Sequence, residues 1–293
     1  MLLQQLVNGL SLGAVYAVFA IGFTLVFGVM NVLNLAQGAV FMWGAYVGLE
    51  VVGRLALPLP LAILAAAVAA GLLGVLSELI VFRPLQRRGA HRWMGMVGSL
   101  ALARILIGVA QEVFGTQVVR YPDNPLAGAS LDLFGARLQV LQLVSIGAAL
   151  AMVLALALLL RLTNLGRAIR TIAFSETVGR LVGIPVDRVR IATFFVSGAL
   201  AGGAGVLWSL LFQSVSPFMG DSILLKGLTV LILGGLGNVA GALVGGLLLG
   251  LVEVGSIVAV GSGYRDAVGF GLVLLILIVR PTGLFATMET KRA

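Results

Sequence analysis

Gly235-Leu236-Gly237-Asn238-Val239-Ala240 has the spacing of a dinucleotide fingerprint, in which glycines let backbone N–H groups close on a pyrophosphate. That chemistry requires a strand before the motif and an acidic residue after it for the ribose. Here both flanks are long apolar runs, so the glycines read as packing. Together with Gly241 and Gly245 they set a four-residue spacing that lets another helix approach closely, and Gly198/Gly202 and Gly246/Gly250 repeat the device. Gly-Lys followed by Ser or Thr occurs nowhere, so the chain carries no Walker A loop and any ATP hydrolysis belongs to another polypeptide. Cysteine is absent and the single histidine, His91, sits in a basic stretch, which leaves no thiol nucleophile, no Ser–His pair and no metal-ligand set. No catalytic residue, metal or cofactor is expected.

Two sets of polar residues interrupt the apolar sequence. Asn31, Asn34 and Gln37 break a stretch from Met1 to Leu49 that holds no charge. Amides and non-helical backbone at membrane depth are tolerated only inside protein or along a wet cavity. The three either line a solute route or cap the two helix ends at the break, and the roles are compatible. Arg104, Lys226, Glu50, Glu112 and Glu253 lie in or beside apolar segments, where a charge at mid-bilayer costs about 2.5–3.5 kcal/mol on insertion scales. Glu50, Lys226 and Glu112 stand near segment ends and are expected to snorkel. Arg104 is central and is expected to join an internal polar network. Glu253 is the one carboxylate moderately inside, and an ion-coupled secondary transporter, which needs such carboxylates deep in the spans, is the lesser alternative. No symmetric pore motif of a channel is present.

The elements that position these residues follow from composition. The 293 residues are 60% hydrophobic and 10% charged, with a mean hydropathy of +1.13. Soluble domains carry about 25% charged residues, so this chain cannot clothe itself for water and reads as an all-α, polytopic membrane protein. The net charge of +8 is scattered through loops between spans, with no basic face carrying stacking aromatics, which excludes nucleic acid as a partner. Apolar segments number eight or nine: Ser222–Gly234 is short enough to be a re-entrant half-span. The opening lacks the positive start of a signal peptide. Placing 83–92, 161–190 and the C-terminal tail in the cytosol puts most of the 19 Lys and Arg residues there, as the positive-inside rule requires. The polar stretch 115–137 is then outside. Thr24–Gly38 and Thr229–Gly241 resemble each other as apolar runs broken at a Gly/Asn turn, and paired breaks point to a transporter's substrate path.

Between two uncharged runs, 161–190 carries Arg161, Arg167, Arg170, Arg180, Arg188 and Arg190 against only Glu176 and Asp187. Asn164-Leu165-Gly166 marks a helix start, Arg167–Leu181 reads as one helix, and Val182-Gly183-Ile184-Pro185 stops it. A cytosolic helix on a membrane protein is a handle for a soluble partner.

Three separated stretches resemble one family. Asn8–Ala17 with Gly22–Asn31 and Asn34–Gly38 is similar to the N-terminus of branched-chain amino acid ABC importer permeases of the LivH type. Gly166–Arg170, Leu181–Ile184 and Asp187–Val189 resemble that family's coupling loop, and Leu233–Ala242 its late glycine-rich segment. Ser175 and Gly179 depart from the pattern, where an acidic or amide residue and alanine are usual. The resemblance implies a single permease domain over 1–293; the break itself is expected to set Asn31, Asn34 and Gln37 beside the substrate path, and the glycine spacing to set Gly237, Gly241 and Gly245 in helix packing. The resemblance implies ATPase coupling through Arg167, Arg170, Glu176, Arg180, Gly183, Asp187 and Arg188. It also implies a second permease, two cytoplasmic ATP-binding subunits, a periplasmic or extracellular binding protein, and residence among the lipids of the bacterial inner membrane. Branched-chain or related amino acids are the expected cargo, with urea or short amides as the alternative within the family.

Overall fold

In the computed structural model the uncharged opening forms one long helix, α1 (Leu2–Met30), broken before α2 (Gln37–Gly53). The structure describes residues 2–55, 57–121, 130–133, 136–259, 261–280 and 282–285. The Pro122-Asp123-Asn124-Pro125 turn and most of the basic tail lie outside them. Pro58 and Pro60 open α3 (Leu59–Ser77), where a missing N–H does no harm. A π-helical turn (Glu78–Phe82) carries it into α4 (Arg83–Arg87). There follow α5 (Arg92–Phe114), α6 (Val140–Leu162), two short polar helices α7 (Asn164–Phe174) and α8 (Glu176–Leu181), and α9 (Val186–Phe212). The last three are α10 (Met219–Gly234), α11 (Val239–Ala259) and α12 (Arg265–Val279). Among the described residues, seven helical runs are long and apolar enough to cross a bilayer. The apolar helices α2 and α10, at 17 and 16 residues, are shorter.

Strands are few. β1 (Val119–Arg120) pairs antiparallel with β4 (Ser214–Val215), and β2 (Ser130–Leu133) with β3 (Ala136–Gln139). The first ribbon joins the α5–α6 connection to the end of α9 and so closes one end of the bundle.

The core is built around α1, whose Val15–Ile21 run is fully enclosed. Small residues permit this. A methyl built on Gly13 would fall 2.8 Å from the Leu247 Cα, and the backbones of Gly250 and Gly13 touch. Gly202 is pinched between Gly44 of α2 and Ala66 and Ala70 of α3. Lipid is as apolar as leucine, so membrane helices gain from close backbone approach rather than from burial, and glycine is what allows it.

Gly241 and Gly245 face α10: a methyl on Gly241 would overlap the Gly234 carbonyl, and one on Gly245 would lie 3.0 Å from Leu233 Cδ2. Gly237 differs, which corrects its grouping with them. Its φ is +83° and the nearest foreign atom to an added methyl is Gly28 Cα at 3.9 Å, so it serves the turn and not the contact. Gly241→Leu is expected to lower the melting temperature in detergent, since overpacking costs about 1–3 kcal/mol. An unchanged value would show that α10 and α11 separate freely at this point.

Arg167–Leu181 is two helices and not one. Ser175 is extended (φ −158°, ψ 119°) and its hydroxyl accepts from Val178 N at 3.3 Å, ending α7 and capping α8. Serine is among the best N-caps, so the departure from an acidic or amide residue keeps the capping chemistry. The first cap is Thr163, one residue before the expected start, accepting from Gly166 N at 3.0 Å.

Candidate functional site

The break between α1 and α2 lies within the bundle. Gln37 Nε2 donates to the Ser197 carbonyl and hydroxyl, both at 3.0 Å, and Ser197 Oγ donates to Gly22 O at 2.7 Å. Ser197 is about 16 Å along α9 from its first residue at 1.5 Å per residue, so α2 starts well inside. Leu35 N reaches Ser99 Oγ on α5 at 3.0 Å, and Asn34 Oδ1 accepts from Ala36 N at 3.2 Å. The amides therefore satisfy backbone that a break would otherwise orphan. Asn34 and Gln37 are buried, while Asn31, at φ +50°, is exposed. The three do not form one continuous lining. The backbones of Gly38 and Gly220 meet beside the break, so the first turns of α2 and α10 converge there.

The second break, at 235–238, is a tight turn with Gly235 and Gly237 at positive φ, where Asn238 Oδ1 accepts from Gly241 N at 3.0 Å. It shares the glycines and the amide with the first but has no buried extended segment.

At the basic end, α7 buries Gly166, Ile169 and Ile172 on one face and turns Arg167 and Arg170 outward, bonded to Asn164 and to the Leu160 carbonyl. Arg190, nearly buried, joins Glu176 of α8 (2.6 Å) to Gln86 of α4, and Gln86 in turn touches Met30 Sδ at 3.4 Å. Arg83 and Arg87 lie 3.5 and 3.8 Å from Asp187. These contacts form a latch from the polar helices to the end of α1. Beside it opens a cavity of about 530 Å³, lined in part by Met30, Val32, Arg83, Gln86, Glu176 and Arg190. Partial burial raises the Glu176 carboxyl, but bonds from Arg180 and the charges of Arg190 and Arg180 outweigh this and hold it below the ordinary 4.5. A carboxyl so lowered contributes fully above its ordinary value and loses the contribution only as pH falls through the lowered one. Glu176 is thus ionised at neutral pH.

Lys226 does not snorkel. It is buried and bonded to Glu253 Oε1 and, at 2.7 Å, to Asp266 Oδ1. Glu253 is 0% exposed, and its Oε2 takes Tyr16 Oη–H at 2.9 Å and Arg265 Nε–H at 2.8 Å. Two cations and two anions from α10, α11 and α12 thus neutralise one another against α1. Arg104, expected in an internal network, instead lies toward the surface of the chain, paired to Asp221 at 3.1 Å.

The comparisons with known proteins add to this geometry. Residues 5–279 match the family model described as the branched-chain amino acid transport system permease component. The chain belongs to that family. The permease is 32% identical to the high-affinity branched-chain amino acid transport system permease protein LivH of Salmonella typhimurium, over 99% of this chain and 97% of the relative. It is 32% identical, with the same coverage, to the corresponding protein BraD of Pseudomonas aeruginosa. In fold it resembles PsaBC from Streptococcus pneumoniae in complex with Fab, with a TM-score of 0.51 at 15% identity, covering 94% of this chain and 91% of that one. The permease is a multi-pass membrane protein and a transport subunit, not itself a catalyst.

Sequence reasoning missed two features of the permease. One is the Lys226–Glu253 cluster. The other is an apolar tip on the polar helices, where Phe174, Leu181 and Val182 are 76%, 82% and 65% exposed. Their signal was present: apolar residues off the 166/169/172 face, in a loop expected to stand in water.

Proposed function

We propose that the permease is one membrane half of an ATP-driven importer of branched-chain amino acids in the bacterial inner membrane. It pairs with a second permease, receives cargo from a binding protein outside, and is driven by two cytoplasmic ATP-binding subunits. The observation that carries this reading is the apolar tip of α7–α8. Large exposed apolar side chains on helices flanked by arginines call for a protein partner, and a chain without a Walker A loop needs its ATPase from outside. The near full-length likeness to permeases named for branched-chain amino acids supports the cargo.

In this reading, the ATPase seats Phe174 and Leu181 and moves α7–α8 as a unit. Arg190 passes the movement through Gln86 to Met30 and so to the break. Asn34 and Gln37 hold the backbone of the break, and Asn31 faces the route beside it. Arg167, Arg170 and Arg188 rim the docking surface. Glu176, Arg180 and Asp187 keep its internal ion pairs, and Gly183, at φ +79°, makes the turn that ends α8.

Phe174→Asp with Leu181→Asp is expected to abolish co-purification of the ATP-binding subunit and to reduce uptake in proteoliposomes to background, with the melting temperature of the permease itself unchanged. Full uptake by the double variant would overturn this docking.

A further inference from the structure

The Arg104–Asp221 pair is an exposed ion pair of the membrane region that neither packing nor coupling accounts for. Arg104 lies mid-way along α5, about 15–18 Å from either end. Asp221 sits in the first turn of α10, next to Gly220, whose backbone meets Gly38 of α2. The pair is therefore beside the break. Its side chains are 59% and 43% exposed, whereas Lys226 and Glu253 are 9% and 0% exposed. Charges at this depth face protein or water and not lipid. Around the pair the surface is open: Ser222 and Phe218 are exposed, and a methyl added at Gly108, one turn along α5, meets nothing within 4 Å.

We propose that Arg104 and Asp221 face the aqueous route between this chain and the second permease, and take the two charges of a zwitterionic α-amino acid. The inference rests on the transport reading and names the residues that select its substrate class. A guanidinium binds a carboxylate through two parallel N–H bonds, and a carboxylate accepts an ammonium. An amino acid offers both groups on one carbon, so it can replace the Arg104–Asp221 contact with two new ones. Urea and neutral amides have no charge with which to open the pair. The positive end of α10 stabilises Asp221 in either state, so the site returns to the closed pair once the solute leaves. Such an exchange lets cargo pass without being held.

The test uses the complete transporter, with its partner chains, in proteoliposomes. The permease has no cysteine, so Ser222→Cys and Gly108→Cys each give a single thiol in this chain. Both thiols are expected to react with a membrane-impermeant reagent, at rates reduced at least several-fold by saturating leucine. Arg104→Gln is expected to raise KM for leucine more than tenfold, and Arg104→Lys less. The swapped pair, Arg104→Asp with Asp221→Arg, is expected to keep the melting temperature without restoring uptake. Thiols inert in every nucleotide state would place the pair in a sealed permease–permease contact and overturn the inference. Leucine-insensitive labelling, or full uptake by the swapped pair, would overturn it as well. Wild-type vesicles with no amino acid uptake would overturn the transport reading itself, and this inference with it.

Discussion

Replacing Glu253 by leucine is expected to destabilise the permease more than the loss of any other single charge. Its two carboxylate oxygens accept from Lys226, Tyr16 and Arg265, and none of its surface is exposed. Truncation leaves Lys226 and Arg265 in the interior with only Asp266 to oppose them. Breaking a buried pair by removing one partner costs about 3–5 kcal/mol, most of it the uncompensated charge left behind. The melting temperature in detergent should fall sharply, or the chain should fail to accumulate in the membrane. Removing Lys226 as well, by Lys226→Met with Glu253→Leu, keeps the site neutral through Arg265 and Asp266 and should recover much of the loss. A single variant as stable as the parent would show that the cluster holds nothing together. The double variant also asks whether α10 needs a fixed anchor for transport or only for folding.

Gly202→Leu is expected to prevent folding altogether. A methyl at this position would overlap the Ala70 side chain and lie 2.5 Å from the Ala66 carbonyl, and Gly44 of α2 presses from the other side. Overpacking ordinarily costs about 1–3 kcal/mol because neighbours shift. Here the obstacles are the Ala70 Cβ and the Ala66 backbone, all on α3, so they cannot yield unless α3 parts from α9. Gly147→Leu is the control: the site is exposed and an added methyl meets nothing within 4 Å. Membrane levels and size-exclusion profiles should separate the two variants cleanly. Normal accumulation of Gly202→Leu would mean that α2, α3 and α9 are not packed as described.

Much of this architecture could be read locally. The uncharged runs specify membrane helices because a charge in hydrocarbon is costly wherever it falls. The interruption at 31–37 was legible because amides gather there between two long apolar runs. The arginines of 161–190 and the Gly183-Ile184-Pro185 stop marked a structured polar segment, although Ser175 could equally have sat within a helix until its extended backbone was seen. Three motifs in order carried the family likeness.

What the tertiary structure decided were the partnerships and the rotation of each helix. Lys226 read as snorkelling because it stands near a segment end. Its actual partners are 27 and 40 residues away, and Tyr16 is 237 residues from Glu253. Gly237 and Gly241 look alike in sequence, but one holds a positive φ in open space and the other lies against a carbonyl. Arg104 is central by position, yet only the placement of α10 shows that it points outward and meets Asp221. Hydropathy, caps and turns act over a few residues, so the sequence by itself determined which segments form the apolar helices, though not that 167–181 divides at Ser175. Which face of each helix meets which neighbour depends on packing between distant segments, and that was decided only when the bundle closed.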